Sequence, residues 1–422
     1  MFRTASPFRL HGRAPLLIAL LVCLLALPTV LGLVHSNAAA IRRQENRHMA
    51  VRPPLQMLRS NPQAFIKGLE SWMKDGIGLR PLGNTLYRKC RYAILRDPPL
   101  PNITLGQDGH IFFNSPNSNP YAYFKALCLQ QGKPGPELVQ RLDATFSAAS
   151  RVFQRQGARV IFAIAPTTLP LYADKLPPSV PLALRQACIA YPNQDFLLAR
   201  LKRQGAATGR YQVFYPLELF QAYKADANFY PQKNYHWEGK SVYLFTRHLL
   251  KACGAVDHLQ LDDASRLGRS KVDIAGFFGF VIPIQVYLYP YAGQPAQEMP
   301  DSLLQDFGSR QMLFHTVTDN SLTDRTALLI ANSFGTKLQP HLARGFRHLY
   351  FLNTNLIPEP GQERTAVFAT IARMLRPDYV FFVVDDSNVT NLPDWLGGFG
   401  ELDRSACPAS LSKGSSLEKS GQ

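Results

Sequence analysis

From about residue 137 onward, short uninterrupted apolar runs alternate with longer segments whose apolar residues recur every three or four positions. The runs are Val160–Ala165 (VIFAIA), Val213–Tyr215, Ala327–Ala331 (ALLIA), Leu349–Leu352 and Tyr379–Val384 (YVFFVV). Each is too short for a helix and carries no charge, the pattern of a strand covered on both faces. Between them, Glu137–Gln156 places Leu138, Leu142, Phe146, Ala149 and Phe153 near one helical face; Leu182–Arg203, Trp237–Lys251, Lys337–Gly345 and Thr365–Leu375 read as further helices. This rhythm predicts an α/β fold, a parallel sheet with helices on both faces. Residues 257–322 break the rhythm and read as an insertion with strands of its own, and Phe277–Tyr289, divided by Pro283, reads as a buried strand pair. Upstream, 54–98 reads as helical, with an amphipathic stretch around Phe65, Ile66, Leu69, Trp72 and Met73, and Gly106–Gly109 marks a tight turn before the strand Ile111–Phe113.

One run is longer than the others. Pro15–Val34 is 20 residues without a charge, enough to cross a bilayer as a helix. Arg3, Arg9 and Arg13 precede it, and Arg9 and Arg13 lie closer to it than Arg42 and Arg43 on its other side, which predicts a cytoplasmic N-terminus. Ala38-Ala39-Ala40 offers a cleavage site for the alternative, a signal peptide, but the run exceeds the roughly 7–15 residues of a signal core. The expected organisation is a basic cytoplasmic tail (1–14), a single-pass inner-membrane anchor (15–34), a polar stalk (35–53), one folded domain in the periplasm (54–403) and a disordered Ser/Gly/Lys-rich tail (404–422).

Composition narrows the function classes. With 422 residues, 46% of them hydrophobic, the chain buries a sizeable core, and 32 Pro and 28 Gly with only 18% charge exclude a coiled coil. The net charge is +16, of which +6 falls in residues 1–52. The other basic residues are dispersed, without a helix-turn-helix, RNP or zinc-finger pattern, so no nucleic-acid partner is expected; a polyanionic glycan or an anionic membrane fits the charge as well. The six cysteines show no CxxC spacing, which argues against zinc and thioredoxin chemistry; a disulfide is open, its pairing unreadable. HExxH, the P-loop and GxSxG are all lacking, so no metal or cofactor is expected and the common hydrolase elbow is excluded.

Two places carry candidate chemistry. In Ile330-Ala331-Asn332-Ser333-Phe334-Gly335, a Ser follows a buried strand and precedes a helix. Ligands of open α/β sheets bind at such carboxyl ends, and the helix N-terminus offers N–H donors to an oxyanion. Ser333 is a candidate nucleophile, with Asn332 and Gly335 candidates for the oxyanion or substrate; the plainer reading is that Ser333 only caps the helix. In Asn234-Tyr235-His236-Trp237-Glu238-Gly239, His236 stands before a helix with Asn234 two residues upstream. A Ser hydroxyl needs a base within hydrogen-bond reach, usually imidazole; the plainer reading is a structural His beside Trp237. Asp385-Asp386, at the end of the last strand, are expected to face solvent rather than bind a metal.

The motifs also resemble, in order, those of the periplasmic alginate O-acetyltransferases of the AlgX/AlgJ type, whose catalytic domain is SGNH-hydrolase-like. Asp75–Arg80 resembles the family's early acidic-to-Arg segment, Gly106–Phe112 its GxDGWLF element, and Ile161–Thr167 with Leu171–Pro177 its first sheet strand and following loop. Asn234–Trp237 falls on its DxHW motif and Asn332-Ser333-Phe334 on its GDSF motif. The similarity spans residues 54–390 and is nearer the J type, since nothing remains for a C-terminal carbohydrate module. It implies an SGNH-like fold and acetyl transfer to a secreted polysaccharide, with a multi-span membrane acyltransferase as the acetyl source. It implies Ser333 as nucleophile, His236 as base, and Asn234 where the family has the Asp that orients the His; Asn332 stands where the family has Asp. Asn orients a ring but carries no charge, so a catalytically weakened glycan-binding or scaffold component remains a second reading and a carbohydrate acetylesterase a third. Asp226 or Glu238 could supply the missing acid.

Overall fold

The computed structural model describes residues 49–95 except 79, 103–113, 121–129, 136–191, 197–226, 229–255, 266–271, 283–288, 297–299, 313–357 and 362–405, with scattered positions at 15–30 and 98. The chain divides into two compact units, Met1–Leu100 with Lys271–Ile282, and Pro101–Ser270 with Pro283–Gln422.

In the first unit, the helical expectation for 54–98 resolves mainly into α1 (Pro62–Gly76) and α2 (Arg80–Cys90). Asn61 caps α1 by accepting the Ala64 N–H, with Pro62 in the first turn, where its missing donor costs nothing. Asp75 is buried and binds both Arg80 and, at 2.8 Å, the Ala50 N–H. The acidic-to-Arg segment is thus a clasp between the two helices. Residues 15–34 are only partly described; no helix among the described residues is long and apolar enough to cross a membrane.

The second unit opens with a hairpin of β1 (Ile103–Leu105) and β2 (Ile111–Phe113), whose turn places Asp108 and Gly109 at positive φ. Then follow α3 (Pro136–Gln154), β3 (Arg159–Ala165), α4 (Leu182–Ala190), α5 (Leu197–Thr208), β4 (Gln212–Phe214), α6 (Leu217–Tyr223) and α7 (Lys240–Ala252). After β5 (Arg266–Lys271), β6 (Pro283–Leu288), β7 (Gln297–Met299) and β8 (Leu313–Val317) come β9 (Thr326–Ala331), α8 (Ser333–Leu342), β10 (His348–Asn353), α9 (Gln362–Met374), β11 (Tyr379–Asp385) and α10 (Gly397–Ser405).

Seven strands form the main sheet in the order β4-β3-β11-β9-β10-β8-β7. The five expected strands pair in parallel, while β8 and β7 run antiparallel along one edge. β3, β9 and β11 are almost wholly buried, as their unbroken apolar runs require. Phe162 of β3 stacks on Phe146 of α3 at 3.9 Å and on Phe382 of β11 at 4.8 Å, which ties one helical layer to two strands through aromatic faces.

Four expectations change. Leu182–Arg203 is two helices, since Pro192 lies between α4 and α5 and cannot continue the hydrogen-bond ladder. The stretch 257–322 is not wholly separate: β7 and β8 extend the main sheet, an addition that hydropathy alone does not distinguish from an independent hairpin. Of the pair expected at Phe277–Tyr289, Pro283–Leu288 is a strand and 277–282 lie outside the described residues. The tail expected from 404 starts inside α10, and 406–422 lie outside the described residues.

Cys128 and Cys188 form a disulfide across a sequence separation of 60, joining α4 to the segment after the hairpin. A loop of this size is restrained by about 4 kcal/mol in the chain-entropy account. Cys90 is free and exposed, Cys253 free and buried.

Candidate functional site

Parallel pairing brings the carboxyl ends of β3, β11, β9 and β10 to one edge. Val383 lies opposite Ala331, so Asn332-Ser333 leave β9 beside Val384-Asp385, the last residues of β11, which are still paired with β3. Helix α8 begins directly at Ser333, four residues before the expected Lys337. Its N-cap is Asn332, whose Oδ1 accepts the Phe334 N–H at 3.1 Å. The capping role that the plainer reading assigned to Ser333 therefore belongs to its neighbour, and the hydroxyl is left for another partner. That partner is His236: its Nε2 lies 2.8 Å from Ser333 Oγ, although the two residues are 97 positions apart. Both side chains are half-buried.

The histidine loop is clamped onto α8. Trp237, fully buried, donates its Nε1–H to the Phe334 carbonyl at 3.0 Å and packs against Phe245 of α7. Tyr235 and Phe334 flank the imidazole with ring centroids 5.0 Å away. The Tyr230 hydroxyl holds the Tyr235 carbonyl at 3.0 Å. The imidazole is therefore confined by aromatic walls on a loop tied to the helix that begins at Ser333.

Asn234 does not occupy the orienting position expected of it. Its side chain is fully buried, and neither Oδ1 nor Nδ2 has a hydrogen-bond partner among the described residues. No Asn234–His236 bond is formed; Asn234 contributes to the loop through its backbone N–H, which bonds the Pro231 carbonyl at 3.1 Å. The two substitute acids are engaged elsewhere. Asp226 pairs with Lys240 at 2.6 Å, and Glu238 with Lys337 at 3.4 Å.

Asn332 and Gly335 are also placed differently from the oxyanion role. Asn332 is buried; its Nδ2 donates to Asp385 Oδ2 at 2.9 Å while its Oδ1 caps α8. The Gly335 N–H is committed to the Asn332 carbonyl at 2.9 Å. What Gly335 supplies is closeness: a Cβ there would lie 2.3 Å from the Ala331 Cβ, so only Gly lets α8 start this near β9.

Asp385 and Asp386 correct the expectation of solvent-facing carboxylates, for both are buried. Asp385 accepts from Asn332, from Ser387, from Asn388 at 2.8 and 3.1 Å, and from the Tyr235 hydroxyl at 3.5 Å. Asp386 accepts from the Thr167 hydroxyl at 2.8 Å, the Thr167 N–H at 3.2 Å and the Tyr215 hydroxyl at 2.9 Å. Burial is the main reason its carboxyl is pushed up to about 7, with the Asp385 charge adding to the shift and the Thr167 and Tyr215 bonds opposing it. No cluster of metal-ligating side chains is present among the described residues. A cleft of about 430 Å³ does open near Arg159, Lys202 and Gln212, but at the amino ends of β3 and β4, away from Ser333.

No family profile matches the sequence, and no curated protein does either. Several solved structures are similar in part. The O-acetyltransferase domain of Pseudomonas putida AlgJ is similar over 72% of this chain and 100% of its own, at 12% identity and a TM-score of 0.44. Bacillus cereus PatB1, solved with a sulfonyl adduct, is similar over 68% of this chain and 97% of its own, at 13% identity and a TM-score of 0.42. Pseudomonas aeruginosa AlgX is similar over 69% and 66%, at 10% identity and a TM-score of 0.38. At these levels the likeness decides neither fold nor function, and the function has to be argued from the side chains.

Proposed function

We propose that this chain is an acyltransferase that carries an acetyl group on Ser333 and passes it to a hydroxyl of a secreted polysaccharide. The observation that carries this reading is the 2.8 Å approach of His236 Nε2 to Ser333 Oγ at the carboxyl edge of the sheet. In the first half-reaction, His236 takes the Ser333 proton as Oγ attacks the acetyl carbonyl; the donor's leaving group departs with that proton. In the second, His236 takes a proton from the acceptor hydroxyl, the acceptor oxygen attacks the acetyl-Ser carbonyl, and Ser333 recovers its proton as it leaves. The proton and acyl group balance without a cofactor or metal.

The setting follows from the same reading. The uncharged run Pro15–Val34 anchors the chain in the inner membrane, the folded part lies in the periplasm, and a multi-span membrane acyltransferase supplies the acetyl group. The Cys128–Cys188 disulfide suits an oxidising compartment.

One observation favours a second reading, a glycan-binding component with weak catalysis: the buried Asn234 amide has no hydrogen-bond partner among the described residues, so residue 234 does not stabilise an imidazolium. In serine proteases, loss of the orienting carboxylate costs about 10⁴-fold in turnover. Incubation with an activated acetyl ester, followed by peptide mass spectrometry, separates the two readings. Acetylation of Ser333, and its discharge accelerated by a polysaccharide acceptor over water, supports the transferase. Discharge to water at the same rate supports the esterase, and a Ser333 that never acetylates while the glycan still binds supports the binding component.

A further inference from the structure

We infer that Asp385 is a positioning residue that holds the nucleophile and the base in register, acting from the end of β11 through the residue that precedes each of them. The inference rests on the proposed role of Ser333 and His236. Asp385 Oδ2 takes the amide of Asn332, the residue before Ser333, at 2.9 Å. Asp385 Oδ1 takes the hydroxyl of Tyr235, the residue before His236, at 3.5 Å. Asn332 passes the constraint to α8 by capping Phe334 N–H, and Tyr235 passes it to the imidazole through an edge-on ring contact at 5.0 Å. One carboxylate thus touches both halves of the Ser–His pair without touching either reacting atom.

The local chemistry suits a fixed carboxylate. Asp385 is fully buried, and its hydrogen-bond donors are neutral: two side-chain amides and two hydroxyls, from Asn332, Asn388, Ser387 and Tyr235. Tyr235 stays a donor, because burial first, and the Asp385 charge second, push its hydroxyl well above the usual range. Asn332 is also the residue this arrangement needs. Its amide can face the carboxylate while its oxygen faces the helix; an Asp there would set two buried carboxylates against each other. The Asn at 332, where the resembling family has Asp, is in this light the complement of a carboxylate at 385 rather than a loss.

The test measures Ser333 reactivity separately from acetyl transfer. An arylsulfonyl fluoride forms an Oγ–S bond as fluoride leaves and His236 takes the hydroxyl proton; intact-mass spectrometry of the full chain gives the second-order labelling rate. Asp385→Asn should slow labelling by on the order of a hundredfold, the cost of a misplaced reacting pair, and should lower kcat on an activated acetyl ester with KM unchanged. Tyr235→Phe removes one long hydrogen bond and should slow labelling several-fold with Tm unmoved, a result that a merely structural Asp385 does not produce. Combining Asn332→Asp with Asp385→Asn restores one amide facing one carboxylate and should recover at least about tenfold of the rate. If Asp385→Asn fails to fold, Tyr235→Phe and Asn332→Ala each cut one arm and carry the test. Folded variants that label at the wild-type rate overturn the inference, as does a wild-type Ser333 that labels no faster than the Ser333→Ala background. If wild type labels and the variants are slowed, yet no acetyl reaches an acceptor, the positioning role stands and the proposed transferase falls.

Discussion

The two segments that meet at the site, a turn at the end of β9 and a loop between α6 and α7, are finished to different degrees. At the nucleophile turn, the polar side-chain atoms of Asn332 are both used, one on the Phe334 N–H and the other on Asp385, and Gly335 is packed against Ala331. At the histidine loop, Trp237 and Tyr230 anchor the backbone firmly, but Asn234 buries an amide with no hydrogen-bond partner among the described residues. An unmade hydrogen bond in a dry interior costs more than a made one contributes. The difference teaches that the position of His236 is set by its aromatic walls and its tied neighbours, not by a direct polar contact from residue 234.

The largest expected effect breaks both sides at once. Ser333→Ala and His236→Ala should each lower acetyl-ester turnover by about 10³-fold or more, and the double variant should be no worse than either alone, because the two act as one unit. Steady-state kinetics on the three variants checks this; additive losses would separate the pair.

Next in size is a pH effect on the carboxylate beside the nucleophile side. Asp386 holds its proton in the folded chain up to about 7, against 3.8 for an ordinary Asp. Between those values the unfolded chain binds fewer protons than the folded one, so stability falls as pH rises from about 4 to about 7 and levels off above. The fall attributable to this group should amount to a few kcal/mol. Urea midpoints measured across that range should show the slope in wild type, and Asp386→Asn should remove it, gaining on wild type as pH rises.

A third comparison sets the two Asn residues against each other. Asn332→Ala removes a helix cap and strips a donor from Asp385, so it should cost about 2 kcal/mol. Asn234→Ala removes no hydrogen bond and should cost under about 1 kcal/mol. Denaturant unfolding measures both; equal losses would mean that Asn234 has a partner after all. The smallest effect sharpens the contrast instead. Asn234→Asp sets a carboxylate where the amide makes no bond to the imidazole, and should not raise acetyl-ester turnover. A clear rise in turnover would show that the loop does bring residue 234 to the ring.

These contrasts also mark what was legible in the sequence. The five parallel strands were readable because β3, β9 and β11 are covered on both faces and so carry unbroken apolar runs. Ser333 and His236 were readable as a pair because one follows such a run and the other stands in a short aromatic motif. Asp385 was misread. Its signal was present, two carboxylates closing the apolar run of β11 at the very edge where parallel sheets gather their sites. The missing information was register: nothing local to residue 385 says that Val383 lies opposite Ala331, 52 residues earlier. The isolation of Asn234 was invisible for the same reason, since hydrogen bonding at a loop depends on neighbours far away in the chain. β7 and β8 escaped because an antiparallel edge strand has no helix to announce it.

The place of β11 in the sheet has a consequence for the order in which a newly made chain becomes active. It is the last strand to be synthesised, yet it lies between β3 and β9, which pair with it and not with each other. A growing chain that has already delivered His236 and Ser333 still lacks the keystone that joins the two halves of the sheet. Such a chain would keep Ser333 and His236 unassembled until residue 385 arrives, and a premature stop before residue 379 would leave both side chains present but never brought together.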